Sequence, residues 1–327
     1  MKTRDYFFDN AKGILIFLVV FGHLLSPYKH DYEFVKIIYD FIYVFHMPFF
    51  ILISGFFVKN NLKKEIQFLL IYFIINIILS ILFKGKLIFF TPQFAMWYLL
   101  ALFFWKQLLK FFKNFKYSLL IAILIGIMVG FSRDLGSFLT LQRTFVFFPF
   151  FLLGYQLNDL NYKDYLKKIS KPIALLGLSL IIISIAVLVL KFDIRSLDQL
   201  LMGKKNYYIL LKDNYLIGSL LRLGGYILSF VTIFLLSKFI SHEKIKFLSH
   251  VGNNSLSVYL IHIFIIKIFY SVNFFDIPLN LIFLIIISTS IVFFLTSKPI
   301  LYLFNLSINN QFLKNNFFKK DHQEEII

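Results

Sequence analysis

No cysteine occurs among the 327 residues, which excludes thiolate nucleophiles, disulfides and cysteine-ligated metals. Charge is sparse at 16% of residues, and acid is sparser still: 17 Asp and Glu face 34 Lys and Arg. A soluble domain carries about 25% charged residues to keep its surface wet, so most of this surface is not built for water. Proline (7) and glycine (14) are few, which leaves little to interrupt long helices. Also missing are a phosphate-binding P-loop, a Gly-x-Ser-x-Gly elbow and any zinc-ligand spacing. These absences exclude P-loop nucleotide chemistry and hydrolases of the nucleophile-elbow type. We expect no metal and no permanently bound cofactor.

Hydrophobic residues make up 59% of the chain, 45 of them Phe, and mean hydropathy is +0.78. The apolar residues fall in runs able to cross about 30 Å of hydrocarbon. Ten such runs are expected, at 11–27, 37–57, 66–83, 96–112, 117–131, 143–157, 172–191, 215–237, 254–272 and 279–304. The pattern predicts an all-α integral membrane protein of about ten transmembrane helices packed around a central polar cavity. Residues 1–306 form one polytopic domain and 307–327 a short polar cytoplasmic tail. The first run lacks a small-x-small cleavage site and reads as a retained span. No internal repeat is visible, which argues against inverted-repeat transporters.

The net charge of +17 does not point to nucleic acid, because the basic residues lie in short loops and form no contiguous aromatic–basic patch. They act instead as topology signals in contact with membrane lipid. With the N-terminus inside, the inner segments hold 20 Lys and Arg and the outer loops 11. This predicts a multi-pass protein of a bacterial cell membrane with both termini cytoplasmic. Five of the eleven outer charges come from one loop, between Lys191 and Lys212.

Intramembrane ionisable residues mark functional sites by default. The first run carries Asp9, Lys12 and His23. Eleven residues advance a helix by three turns plus about 20°, so Lys12 and His23 share a face, about 16 Å apart in depth. Asp9, three residues before Lys12, joins that stripe. The second run contains Asp40 and His46-Met47-Pro48 and enters from the outside, which puts His46 near the depth of His23. Pro48 frees a carbonyl one turn earlier. A neutral imidazole in a dry site can take the proton of a sugar hydroxyl as that oxygen attacks an acyl thioester. Asp9 lies about 21 Å from His23 along the helix and cannot orient it; Asp40 or a group on another span must. Further candidates are Trp97, Arg143, Arg222 and His262 on the acceptor side. Trp97 also fits an interfacial belt, Arg143 a snorkelling arginine. Arg222 lies deeper and calls for a partner, and His262 could line the same cavity or pack helices.

Asp9-Asn10-Ala11-Lys12-Gly13 with Gly22-His23, and Phe45-His46-Met47-Pro48-Phe49-Phe50 with Ser54-Gly55-Phe56, resemble the bacterial acyltransferase-3 family, in particular its fucose 4-O-acetylase-like branch. Met96-Trp97-Tyr98-Leu99, Phe148-Pro149-Phe150 and Tyr259-Leu260-Ile261-His262 add weaker matches in the same order. The resemblance implies about ten spans and transfer of an acetyl group, usually from acetyl-CoA as co-substrate, to a carbohydrate hydroxyl, with His23 catalytic. His46 joins it as the second catalytic candidate. Lys12, where the family often has Arg, is implied in donor binding; Asp9, Lys63 and Lys64 complete that candidate set. Lys keeps the charge and loses the bidentate fork. Two other readings fit polar groups at depth: a transporter or flippase of lipid-linked glycans, and an acyltransferase acting on lipid.

Overall fold

The computed structural model describes residues 5–308, apart from 60, 137, 161, 193–196 and 212–213. Among the described residues there is helix and no strand. The first two helices are α1 (Phe7–Leu25) and α2 (Glu33–Phe56), followed by α3 (Leu62–Lys84), α4 (Trp97–Phe112), α5 (Ser118–Met128) and α6 (Leu141–Leu157). Next come the short α7 (Tyr162–Lys167), the long α8 (Lys171–Phe192), the short α9 (Leu197–Leu201) and α10 (Tyr207–Leu211), and α11 (Tyr215–Ser237). The chain closes with α12 (Lys246–Asn253), α13 (Ser255–Ser271), α14 (Leu281–Leu295) and α15 (Lys298–Ile308).

Local chemistry explains the boundaries. The Phe7 amide donates to Asp5 Oδ1 at 2.9 Å, which starts α1 four residues before the expected span. Pro27, just past Ser26, blocks its continuation. Asn61, Asn214 and Asn280 cap α3, α11 and α14 by accepting the amides of Lys64, Ile217 and Phe283. Gly85 ends α3 with φ +62°, a conformation that favours glycine. Pro48 leaves α2 continuous because the Ser229 hydroxyl of α11 donates to the Val44 carbonyl at 2.6 Å, replacing the amide that proline lacks.

Helices α1 and α2 are mostly buried, whereas most residues of α3 and α8 are exposed or half-buried. Two pairs of glycines bring the central helices together. A Cβ on Gly55 would lie 1.9 Å from the Phe151 carbonyl oxygen, and one on Gly154 1.9 Å from that of Leu52, so α2 and α6 touch backbone to backbone. Gly13 meets Leu248 and Gly252 meets Asp9 in the same way, which seats α12 across the start of α1.

Among the described residues six helices are long and apolar enough to cross a membrane: α1, α2, α3, α6 together with the turn before it (Phe138–Leu157), α8 and α11. The pairs α12–α13, bent by 78°, and α14–α15, bent by 54°, raise the number to eight. The protein is therefore a multi-pass chain, all-helical among the described residues, with six to eight spans clear by length and composition. The expected spans 96–112 and 117–131 fall on α4, of 16 residues, and α5, of 11, too short for that test. The interval 238–253, expected as loop, holds α12, and the expected span 279–304 breaks near Thr296. Of the expected tail, residues 309–327 lie outside the described residues.

Candidate active site

A polar cavity of about 210 Å³ sits toward the end of α1, between α1, α2, α4, α6 and α13. Val19, His23 and Ser26 line it from α1; Tyr39, Tyr43, His46 and Met47 from α2; Trp97, Arg143 and Tyr259 from α4, α6 and α13. His23 and His46 face the same space, as their matched depth predicts.

Each histidine has a defined setting. His46 Nδ1 lies 2.8 Å from the Ile42 carbonyl, and His262 Nδ1 2.8 Å from that of Val258. A carbonyl only accepts, so in both rings Nδ1 carries the hydrogen and Nε2 is left as an acceptor. The fully buried His262 Nε2 has no hydrogen-bond partner among the described residues. The ring beside it is that of His23, at 5.3 Å between centroids. Tyr43 meets His46 edge-on at 4.6 Å and stacks on Tyr39 at 4.1 Å.

Arg143 supplies the positive charge. Its guanidinium lies over the Trp97 ring at 4.7 Å, and its Nε has no hydrogen-bond partner among the described residues. Trp97 thus lines the cavity and carries Arg143. Tyr259 donates to the Ala95 carbonyl and packs on Tyr98, whose hydroxyl pairs with that of Ser54 at 2.5 Å.

The other sequence candidates lie elsewhere. Asp40 is fully buried and accepts from Lys36 at 2.6 and 2.7 Å. Lys36 also reaches Asp198, which pairs with Lys29. Asp40 therefore belongs to a four-charge cluster, and none of its members lines the cavity. Arg222 is buried and donates to the Leu200 carbonyl at the end of α9. It lines a separate, smaller pocket with Tyr226 and Ser229. Asp9 and Lys12 form an ion pair at 3.3 Å at the other end of α1. Lys63 and Lys64 are exposed in the first turn of α3, on that same end. Sequence reasoning missed Tyr39, Tyr43 and Tyr259. The signal was present: Tyr39, Tyr43 and His46 are spaced i, i+4, i+7, and Tyr259 and His262 i, i+3, as residues on one helical face are.

A model of the acyltransferase domain matches residues 5–297, nearly the whole described chain. The chain belongs to the acyltransferase-3 family. Members of this family move an acyl group from a donor to an acceptor, so the protein is a multi-pass membrane acyltransferase. Curated relatives include nodulation protein NolL of Sinorhizobium fredii (strain NBRC 101917 / NGR234), 42% identical over 66 residues, and nodulation protein NolL of Mesorhizobium japonicum (strain LMG 29417 / CECT 9101 / MAFF 303099), 40% identical over 67. Those alignments cover 19% and 20% of this chain and 18% of each relative. No solved structure matches.

Proposed function

We propose that this acyltransferase moves an acetyl group from acetyl-CoA to a hydroxyl of a cell-surface carbohydrate or of its lipid-linked precursor, with His23 as general base. The observation that carries this reading is the convergence of His23, the free Nε2 of His46 and the guanidinium of Arg143 on one cavity. A neutral base, an acceptor for a hydroxyl hydrogen and a donor for a developing oxyanion are what acyl transfer to an alcohol needs.

In the proposed step, His23 takes the proton of the acceptor hydroxyl as its oxygen attacks the thioester carbon. Arg143 donates to the resulting oxyanion. Collapse breaks the carbon–sulfur bond, and the departing CoA thiolate takes the proton from His23, restoring the neutral ring. His46 cannot both donate Nδ1–H to Ile42 and, while neutral, donate to an oxyanion. Its Nε2 therefore accepts from a neighbouring hydroxyl of the acceptor, while the single hydrogen of the attacking hydroxyl goes to His23. In this proposal His262 supplies the orienting group that Asp40 does not: its Nε2 has no hydrogen-bond partner among the described residues, lies beside the His23 ring, and takes a ring N–H of His23 when the substrate turns the other His23 nitrogen toward itself.

In the proposed topology α4 and α5 complete ten crossings of the cell membrane, with both termini cytoplasmic. Acetyl-CoA then enters at the Lys12, Lys63 and Lys64 end and extends its acetyl group toward His23. The decisive test compares the masses of surface glycans from a wild-type strain, a deletion strain and one producing His23→Ala. Loss of one acetyl group in both mutant strains, with the variant inserted at normal abundance, is expected; an unchanged glycan in the deletion strain would refute the proposal.

A further inference from the structure

The lysines around the cavity, unlike Arg143, have no part in the step above. Arg143 lines the cavity. Lys267 Nζ of α13 lies 3.6 Å from the centroid of Phe94, a wall residue. Lys204 follows Met202, another wall residue, by two positions. Lys84 ends α3 next to Phe83, whose ring packs against Phe94. Burial, and after it the charges of Arg143, Lys205 and Lys84, hold the Lys204 ammonium below its ordinary pKa, so these side chains repel one another. No carboxylate lies within ion-pair distance of Arg143, Lys204, Lys267 or Lys84 among the described residues. The nearby Asp198 is engaged by Lys29 and Lys36. Lys84 and Lys204 are exposed and Arg143 and Lys267 half-buried, and like charges on one rim without a counter-charge favour the binding of an anion.

A second observation comes from sequence. On the proposed orientation Lys84, Lys204 and Lys205 lie in outer loops, where lysine opposes the topology signal. Basic residues against that bias serve something other than topology.

Resting on the reading of this cavity as the acceptor site, we infer that its rim binds the phosphate or diphosphate of an anionic acceptor, so that the acetylated sugar is presented on a phosphate-bearing carrier. The three lysines more than offset the charge of a diphosphate diester, and the sugar beyond it would extend inward to Arg143, His46 and His23. The phosphates of CoA share this chemistry, but the proposed donor enters at the opposite end of α1.

The test uses the full-length protein in nanodiscs of phosphatidylcholine alone, which carry no net lipid charge. Binding of inorganic diphosphate is measured by calorimetry for wild type, Lys204→Gln/Lys267→Gln, Lys63→Gln/Lys64→Gln and His23→Ala. Wild type and His23→Ala should bind alike, and the rim variant about tenfold or more weaker, as expected for losing charge-assisted contacts. Lys63→Gln/Lys64→Gln should bind as wild type, and saturating free CoA should leave diphosphate binding in place. Displacement by CoA would assign the rim to the donor and overturn the inference, as would equal binding by the rim variant. Binding by His23→Ala separates this test from catalysis: if surface glycans proved unacetylated by this protein, the anion site could still be present, and the reverse.

Discussion

The two ends of α1 and α2 hold two cavities, and the larger one is chemically the quieter. At the start of α1 a groove of about 450 Å³ is walled by Phe7, Phe8, Phe56, Leu157 and Phe230, with Tyr162 and Ser237 among its few polar groups. At the end of α1 the cavity has less than half that volume and gathers His23, His46, Arg143 and three tyrosines. Size alone would choose the wrong end for chemistry. Apolar walls in a membrane protein are filled by acyl chains or by packing, whereas polar atoms at depth require partners and are retained for a use. What distinguishes the smaller cavity is polar atoms with capacity left over among the described residues: Nε2 of His46 and Nε of Arg143 in its wall, and Nε2 of His262 behind His23.

The sharpest test of that contrast is to empty each end of one ring. His23→Ala should lower acetyl transfer by about 10²–10⁴-fold, the range for loss of a positioned base. Phe230→Ala, in the groove, should leave the rate per folded molecule within about twofold of wild type and lower thermal stability, since truncating a half-buried Phe costs part of the about 3–5 kcal/mol of a fully buried one. Comparable loss of specific activity in both variants would erase the distinction. His30→Ala, in the turn after α1, serves as a control with wild-type activity.

His262 offers a finer division inside the polar end. As the group that orients His23, it should reduce kcat when changed to Ala, by about 10- to 100-fold, and leave the KM of the acceptor near wild type. His262→Gln or Asn retains an acceptor oxygen and should recover part of the loss. A shift in KM alone would instead make His262 a substrate contact.

Much of this arrangement was readable from sequence, and the parts that were not share a cause. His23 and His46 announced themselves because a histidine in an apolar run is rare, and helical rise alone set them at one depth. Asp40 announced itself by the same rule and led elsewhere. Its partner, Lys36, stands one turn away, and only the fold adds Asp198 from a distant short helix. Arg222 behaves likewise: the sequence demands a partner, and the structure supplies the Leu200 carbonyl. Apolar run length does not show where a helix bends or how short it is. Ten runs were visible, but the bends at Asn254 and Thr296 and the shortness of α4 and α5 depend on packing. Buried charge is legible in one dimension; its pairing is a three-dimensional fact.

The helix joint between the two ends predicts a smaller effect. Ser229 satisfies the Val44 carbonyl that Pro48 leaves open, midway between groove and cavity. Ser229→Ala removes that donor and leaves a buried carbonyl unpaired, which costs about 1–3 kcal/mol. The variant should melt earlier in detergent. Adding Pro48→Ala restores the backbone amide and should recover most of the loss. Failure of the double variant to recover would show that Ser229 acts by packing rather than by replacing the missing bond.

The smallest expected effect lies at the far end from the histidines. If Lys12 meets the phosphates of acetyl-CoA, Lys12→Gln should raise the KM for acetyl-CoA several-fold and leave the acceptor KM unchanged, because one partly exposed charge contributes about 1 kcal/mol. The complication is its ion pair with Asp9 at 3.3 Å, since Asp9 is buried and loses a counter-charge in the single variant. A double variant separates the two roles. If Lys12 serves only to neutralise Asp9, then Asp9→Asn should restore the Lys12→Gln protein to wild-type kinetics and abundance. If Lys12 binds the donor, Asp9→Asn should repair abundance while the KM for acetyl-CoA stays raised. The comparison of the two ends of α1 then becomes one of function, with the donor held at Lys12 and the reaction carried out at His23. Recovery of donor KM in the double variant would reduce the Lys12 end to a folding element and leave the polar cavity as the only end with a catalytic part.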